Sequence, residues 1–547
     1  MKRLICTIIG VFLVFFTSFV AAFTYEYQGQ TLEYTLITGE KCQVAPGNSI
    51  KGGNQISGDL HIPSHVVYND REITVVSIGE YAFSKNSNLI SVEIPNSIIS
   101  IQESAFDRCS SLTTIRMSDE IQTLGAWCFS FCSQLDRISL PETLKYMGDY
   151  CFWGCSNLKS ITIPSLISEI NDNCFGQCSA LKNIHLPENL KRIGNESFYR
   201  CYSLSDVELP SNLIRIGNGG FKSCSHLKKI IIPESMETLG SECFAYSGLE
   251  SVDLPSSLHS AGSQCFYECE NLRHASVNAP IGSSCFYGCD LESLYLNSFP
   301  NYTESAYQSI TTDTLIIGPR ISRLILGVYV LPKGAASSRY EKLLLSCPKK
   351  IIIEDSDNEL QIGWIKDSRG SDFQSEYYRN SPSNFYWGSP SWGSELTDLY
   401  VGRSLVGCEM ETSSIVSLTL GSQLNTFSLG TELYDLSALD KLNYLNSLNL
   451  TPPIIGSVST EQYQNLKIKV PTESLPTYMD NPIWKNFKNL GAEIPSSIDL
   501  ISADYNTDTS TVIYDLKGAN ISGQISSLAP GIYIVRQDNT VKKIVVK

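Results

Sequence analysis

The residues whose type and spacing could do chemistry in this chain are cysteines. In CFWGCSNL, residues 151–158, Cys151 and Cys155 are separated by three residues. Such a pair can ligate a metal, form a redox couple or close a disulfide. One period away on either side the chain reads CFSFCSQL at 128–135 and CFGQCSAL at 174–181. A pair that returns at every period is a repeat unit before it is a site.

Other chemistries find less support. The sequence holds no GxSxG elbow, HExxH helix, phosphate-binding loop or dinucleotide fingerprint. Its six histidines, His61, His65, His185, His226, His259 and His274, fall at unrelated points of the repeat. His61 and His65 are four apart, but Pro63 lies between them in an extended stretch, so the helical geometry of a metal-binding pair fails. Segment 371–395, SDFQSEYYRNSPSNFYWGSPSWGSE, stands apart from the rest. It gathers Tyr377, Tyr378, Phe385, Tyr386, Trp387 and Trp392 among Ser, Gly and Asn, the composition of a binding loop. The plain alternative is an irregular loop whose rings pack back onto the body of the protein. An enzyme built there, a carbohydrate-active one, would need two facing carboxylates about 5 to 10 Å apart in a cleft lined by Trp387 or Trp392.

The elements that position these residues are repeats. Phenylalanines recur at Phe83, Phe106, Phe129, Phe152, Phe175, Phe198, Phe221, Phe244, Phe266 and Phe286, with seven steps of 23 residues, then 22, then 20. Ile101, Ala105 and Cys109 are spaced by four, which predicts one face of a short helical turn. Leu112, Ile115 and Met117 end in alternation, which predicts a short half-buried strand. No single unit can bury its own apolar face, so the units stack into a solenoid.

The cysteines then fall into two columns. The residue before each Phe is Ala82, Ala105, Cys128, Cys151, Cys174, Ser197, Gly220, Cys243, Cys265 or Cys285, a position that selects for size. Three residues after Phe, Cys is nearly uniform, with Asn86 and Ser247 as the exceptions. Zinc needs four converging ligands, whereas these side chains run as parallel ladders. Disulfides are open to an exported chain. The predicted helical side would space its elements about 8 to 10 Å apart, beyond the roughly 7 Å between bridged Cα atoms, so buried free thiols are expected.

The unit IGxxAFxxCxxLxxIxIPxxL, seen in residues 101–121 and 193–213 with local substitutions, resembles the BspA-like leucine-rich repeat family of bacterial surface proteins. LHIPSHVVYNDREITVVSIGEYAF, residues 60–83, is similar to that family's first strand and lead-in. The resemblance implies an α/β repeat solenoid, a leucine-rich repeat array with parallel strands on one face and short helical turns on the other. It implies secretion, surface exposure and adhesive binding, with no catalysis and no cofactor.

Around this array the chain divides further. Residues 1–22 carry Lys2 and Arg3, an apolar run to Phe16 and small residues before the end, the pattern of a secretory signal. Residues 23–59 form a lead-in or cap, 60–296 the regular repeats, and 297–494 a degenerate continuation with insertions and a closing cap at 467–491. Residues 495–547 form a small β domain, with strands expected at 511–516, 531–536 and 541–546, and the last nineteen residues resemble a type IX secretion C-terminal sorting domain.

The formal net charge of −15 disfavours nucleic acid and restricts membrane contact to surface anchoring. The remaining candidate surface is the outward row of the strands, which contains Glu93, Arg116, His185, Glu208, Asp253 and Tyr295. A second row two residues earlier adds Arg137 and Lys229. Together with the aromatic segment these residues are the expected contacts for a host or bacterial surface macromolecule, protein or glycan. The expected location is secreted, on the bacterial cell surface or outer membrane after signal removal.

Overall fold

The computed structural model describes residues 22–298 except 49 and 51, then 307–321, 323–324, 342–345, 348–356, 360–362, 396–403, 405–406, 414–422, 424, 427, 436–494, 511–515, 520–521, 531–537 and 540–546. The expected export signal, but for its last residue, and the aromatic residues Tyr377, Tyr378, Phe385, Tyr386, Trp387 and Trp392 lie outside the described residues. The chain forms two compact units, Met1–Leu166 and Ile167–Lys547. Both are parallel-strand solenoids.

In the first unit each turn of chain makes three sides. One side is the expected strand, and Gly58–His61, Leu89–Glu93 and Thr114–Arg116 pair in parallel. A second parallel ladder follows the Pro corner: Arg71–Ile78, Ser100–Ile101, Thr123–Leu124 and Tyr146–Met147. A hairpin of Ala22–Tyr27 and Gln30–Thr38, with Lys41–Val44 antiparallel to it, leads in, and Lys41–Val44 joins Arg71–Ile78 in parallel.

The second unit repeats both ladders. Glu169–Ile170, Arg192–Ile193, Arg215–Ile216, Thr238–Leu239 and Ser260–Ala261 form one. In the other, Ser251–Leu254, His274–Val277, Asp290–Leu296 and Tyr307–Ile317 continue through Lys350–Ile353, Asp398–Val401, Ser417–Leu420, Tyr444–Ser447 and Lys467–Pro471 to Asn489–Ile494. Trp484, buried near the end of this ladder, donates its indole N–H to the Pro453 carbonyl at 3.0 Å. Antiparallel strands Thr511–Asp515, Gly531–Gln537 and Thr540–Val546 occupy the C-terminal segment.

The third side departs from the expected helical turn. Ile101 belongs to a strand, and among the described residues of 22–298 no helix forms. The side is an arc of overlapping turns in which alternate N–H groups bond forward to the next arc. In the first unit Tyr81, Phe83 and Lys85 donate to the carbonyls of Glu103, Ala105 and Asp107 at 3.0, 2.8 and 2.7 Å. The groups between them close within the arc, as Asp107 N does on Ser104 O at 3.1 Å. A helix aims every N–H along its own axis and could not reach its neighbour this way.

Aiming them forward puts two residues per arc at positive φ, two positions before and two after each Phe: Ser104 and Arg108, Trp127 and Phe131, Glu196 and Arg200. For residues with a Cβ this costs about 1–2 kcal/mol each. The offset lies in what the arcs enclose. All ten repeat phenylalanines are fully buried. Their rings stack at 5.2–5.5 Å from Phe83 to Phe152, and at 4.9–5.6 Å from Phe175 to Phe286. The 20-residue step keeps the same 5.3 Å between Phe266 and Phe286, so the missing residues come out of the corners. Neighbouring turns approach so closely before the arc that a Cβ on Gly240 would stand 2.4 Å from Asn218 N.

The same spacing corrects the reason given for free thiols. Arcs bonded directly to each other are not 8 to 10 Å apart, so distance is not what separates the cysteines. Cysteines of the second column are committed to a carbonyl instead. Cys109 donates to Phe83 O at 3.2 Å, Cys132 to Phe106 O at 3.3 Å and Cys155 to Phe129 O at 3.2 Å. In the second unit Cys201 and Cys224 do the same toward Phe175 and Phe198. The near-uniform column is therefore a donor column, and its exceptions keep a donor: Asn86 Nδ2 bonds Asn54 O at 3.3 Å, and Ser247 Oγ contacts Cys269 Sγ at 3.3 Å. Among the described residues the fifteen cysteines are buried and unbridged.

Phe198→Ala, which empties a ring site between Phe175 and Phe221, should lower stability by about 3–5 kcal/mol in a guanidinium titration of the second unit's transition. A loss within 1 kcal/mol would show that the ring column is not what holds the arcs together. Burial pushes the Cys109 thiol up to about 12, and Cys132 and Cys151 well above the ordinary value. Because folded thiols hold their protons more tightly than unfolded ones, their contribution is complete below the ordinary value of 9.0 and is lost as pH rises through the range up to about 12. Iodoacetamide at pH 8 should leave them unlabelled in the native protein and label them fully after unfolding, and labelling of the native protein at the unfolded rate would contradict this burial.

Candidate functional site

The strand ladder of the first unit puts one outward side chain per turn in a row. His61 pairs in register with Glu93, and Glu93 with Arg116. Their side chains meet: Arg116 Nη1 donates to Glu93 Oε1 at 2.9 Å, and His61 Nδ1 lies 3.3 Å from Glu93 Oε2. Arg116 is 79% exposed and Glu93 50%, so the pair adds at most about 1 kcal/mol to stability. Its effect is to fix a carboxylate between a guanidinium and an imidazole at the protein surface.

Immediately after this row the chain turns a corner, through Ile62-Pro63, Ile94-Pro95, Met117-Ser118 and Leu140-Pro141. The aligned corners form a groove of about 860 Å³, floored by Ile62, Ile94, Ile115 and Met117 and bordered by His61, Glu93, Arg116 and Asp119. Tyr27 and Gln28, from the lead-in hairpin, close its first end. Four turns at about 4.8 Å give a length of roughly 15 Å, enough for four or five residues of extended chain. The hairpin also terminates the strand ladder. The Gln30 amide donates to the Asp59 carbonyl, and its oxygen accepts from His61 N at 3.2 Å, so one side chain stands where a further strand would pair.

The other candidate residues fall elsewhere. Arg137 pairs with Asp136 at 3.4 Å, which Lys159 also contacts at 3.5 Å. His185, Glu208, Lys229 and Asp253 lie exposed on the second unit. Tyr295 is half-buried, and its hydroxyl donates to Glu354 at 3.2 Å, which withdraws it from the open row. The carboxylate pair that an enzyme would need near Trp387 or Trp392 lies outside the described residues.

Reading the sequence missed His61, Tyr27, Gln28 and Asp119. A signal for His61 was present, since LHIP at 60–63 aligns with VEIP at 92–95 and puts His61 in the column of Glu93. The hairpin residues carry no repeat signal and join the groove through tertiary packing alone. Chemically the groove offers mixed charge over an aliphatic floor. Ser64 Oγ, in the same corner, bonds His65 Nδ1 at 3.0 Å. Among the described residues no group of His, Cys, Asp and Glu is arranged to hold a metal.

Residues 76–205 and 191–314 match the model of the BspA type leucine rich repeat region, in six copies. No curated protein matches the chain. Among solved structures it is similar to a leucine-rich repeat protein from Bacteroides ovatus, at 20% identity over 86% of this chain and 100% of that one, with a TM-score of 0.45. A leucine rich cell surface protein from Faecalibacterium prausnitzii matches at 18% identity over 49% of this chain and 92% of that one, with a TM-score of 0.30. The leucine rich repeat protein of T. pallidum matches at 25% identity over 32% and 88%, with a TM-score of 0.26.

Proposed function

We propose that this chain is a non-enzymatic, surface-displayed leucine-rich repeat protein that adheres to a protein of a host or of another cell, gripping an extended segment of it in the groove of the first unit. The observation that carries the reading is the Arg116–Glu93–His61 row beside the prolyl corners. It presents a donor, an acceptor and an imidazole at strand spacing over an apolar floor, which suits the alternating side chains and backbone groups of a polypeptide. Opposite charges fixed side by side select for register more than they add affinity. Export and display rest on the basic and apolar start of the sequence and on the resemblance of its last residues to a sorting domain.

The test is binding of the mature chain to immobilised matrix proteins and to a glycan array, followed by charge reversal. Arg116→Glu sets two carboxylates against each other beside the groove and should weaken a protein ligand at least tenfold, about 1.4 kcal/mol, with circular dichroism unchanged. Unchanged affinity would remove the groove as the contact, and binding confined to glycans would remove a protein partner.

A further inference from the structure

The arcs of the second unit carry a surface that the groove does not use. One or both of the two residues after each Phe reach the surface there, and in the last three regular turns Tyr246, Tyr267 and Tyr287 come together. Tyr267 and Tyr287 stack at 5.2 Å with planes 11° apart, and Tyr246 meets Tyr267 edge-on at 5.6 Å. Tyr246 and Tyr287 are 44% and 45% exposed. Rings of this size left open on consecutive turns form a contact surface, and the charge around them identifies the contact.

Between Lys229 and Arg320 the sequence holds eleven Asp and Glu against a single basic residue, Arg273. That is a formal charge of −10 out of −15 for the whole chain. Glu242 and Glu250 pair with Lys222 and Lys228, which come from the preceding turn. Glu268 accepts from the Tyr267 hydroxyl and keeps it protonated. The turns that carry the rings are therefore acidic in net charge.

The protein shows elsewhere what such rings on the arcs take. In the first unit the Arg108 guanidinium lies over the Phe131 ring, 4.7 Å from its centre. In the second, Arg200 lies over Tyr199 at 4.9 Å. At the turns of Phe244, Phe266 and Phe286 the equivalent positions are Ala245, Tyr246, Tyr267, Glu268, Tyr287 and Gly288, and no Lys or Arg is among them. We infer that Tyr246, Tyr267 and Tyr287 form a second binding surface, which takes Lys or Arg side chains of a basic protein segment over their rings. The chain fills its aromatic positions with its own guanidinium where one is at hand, and here it leaves the rings and the acidic field to a partner.

The experiment uses the full mature chain and a peptide of alternating Arg and Gly, with the Glu and Gly counterpart as control, followed by calorimetry. The Arg peptide should bind and the Glu peptide should not. Replacing all three tyrosines by Ser should weaken binding at least tenfold, while replacing them by Phe should hold it within about threefold, because the ring and not the hydroxyl receives the cation. Arg116→Glu, in the groove, should leave this binding unchanged, which separates the two surfaces. Equal binding to the Ser and parent proteins would overturn the inference and leave only diffuse attraction by the acids. Failure to bind the Arg peptide, or its displacement by a neutral oligosaccharide, would overturn it as well.

Discussion

The regular repeats, residues 60–296, depend on one requirement: each turn must hydrogen-bond to the next on all three sides. Two sides meet it with parallel strands, whose N–H groups alternate between neighbours by nature. The third meets it with an arc whose alternate N–H groups reach forward, and this arc sets the terms for the rest. It accepts two left-handed residues per turn, holds the phenylalanines at ring-stacking distance, and leaves a Phe carbonyl open to one further donor. The cysteine column supplies that donor in a side chain small enough to fit between arcs. An α-helix there would bond only to itself, as Thr460–Asn465 and Leu475–Asp480 do between parallel strands near the end of the second unit's ladder, and the regular turns would lose the direct bonds between arcs.

This explains what the sequence could and could not disclose. The strand endings were legible because burial alternates strictly along them, as in Ile115 between Thr114 and Arg116. The stack was legible because Phe recurs with little drift. The arc was misread because Ile101, Ala105 and Cys109 do share one face, and a spacing of four is equally produced by a strand end followed by tight turns. Positive φ leaves its usual mark only where the residue is Gly, as at Gly154, Gly219 and Gly288. Elsewhere Trp127, Phe131 or Glu196 occupies the same conformation, so composition gives no warning. The donor role of the second cysteine column is consistent with its substitutions, since Asn86 and Ser247 share with Cys both a small buried side chain and the ability to donate.

The candidate surfaces differ in how they arise. Glu93 and Arg116 meet because the register of the strands fixes them side by side, so the row could be written down once the period was known. The groove beside them could not, because Tyr27 and Gln28 enter from a hairpin outside the repeat. The tyrosine surface lies between these cases. Its residues occupy repeat positions, but their significance comes from what their neighbours lack, a cation, and from a local excess of acids that the total charge of the chain conceals.

The Gln30 amide bears on a different matter, the solubility of a molecule made of open-ended sheets. A parallel ladder ends in a row of donors and acceptors that any passing strand can pair with, and stacking of one such end on another is the usual route to fibres. Here the edge of Gly58–His61 is occupied by a side chain of the protein itself, joined to both Asp59 and His61. An incoming strand would have to displace an intramolecular bond pair and lift away the hairpin that carries it. A single residue thus serves as a chain terminator at the first end of this ladder, where the pattern of pairing has no inherent length.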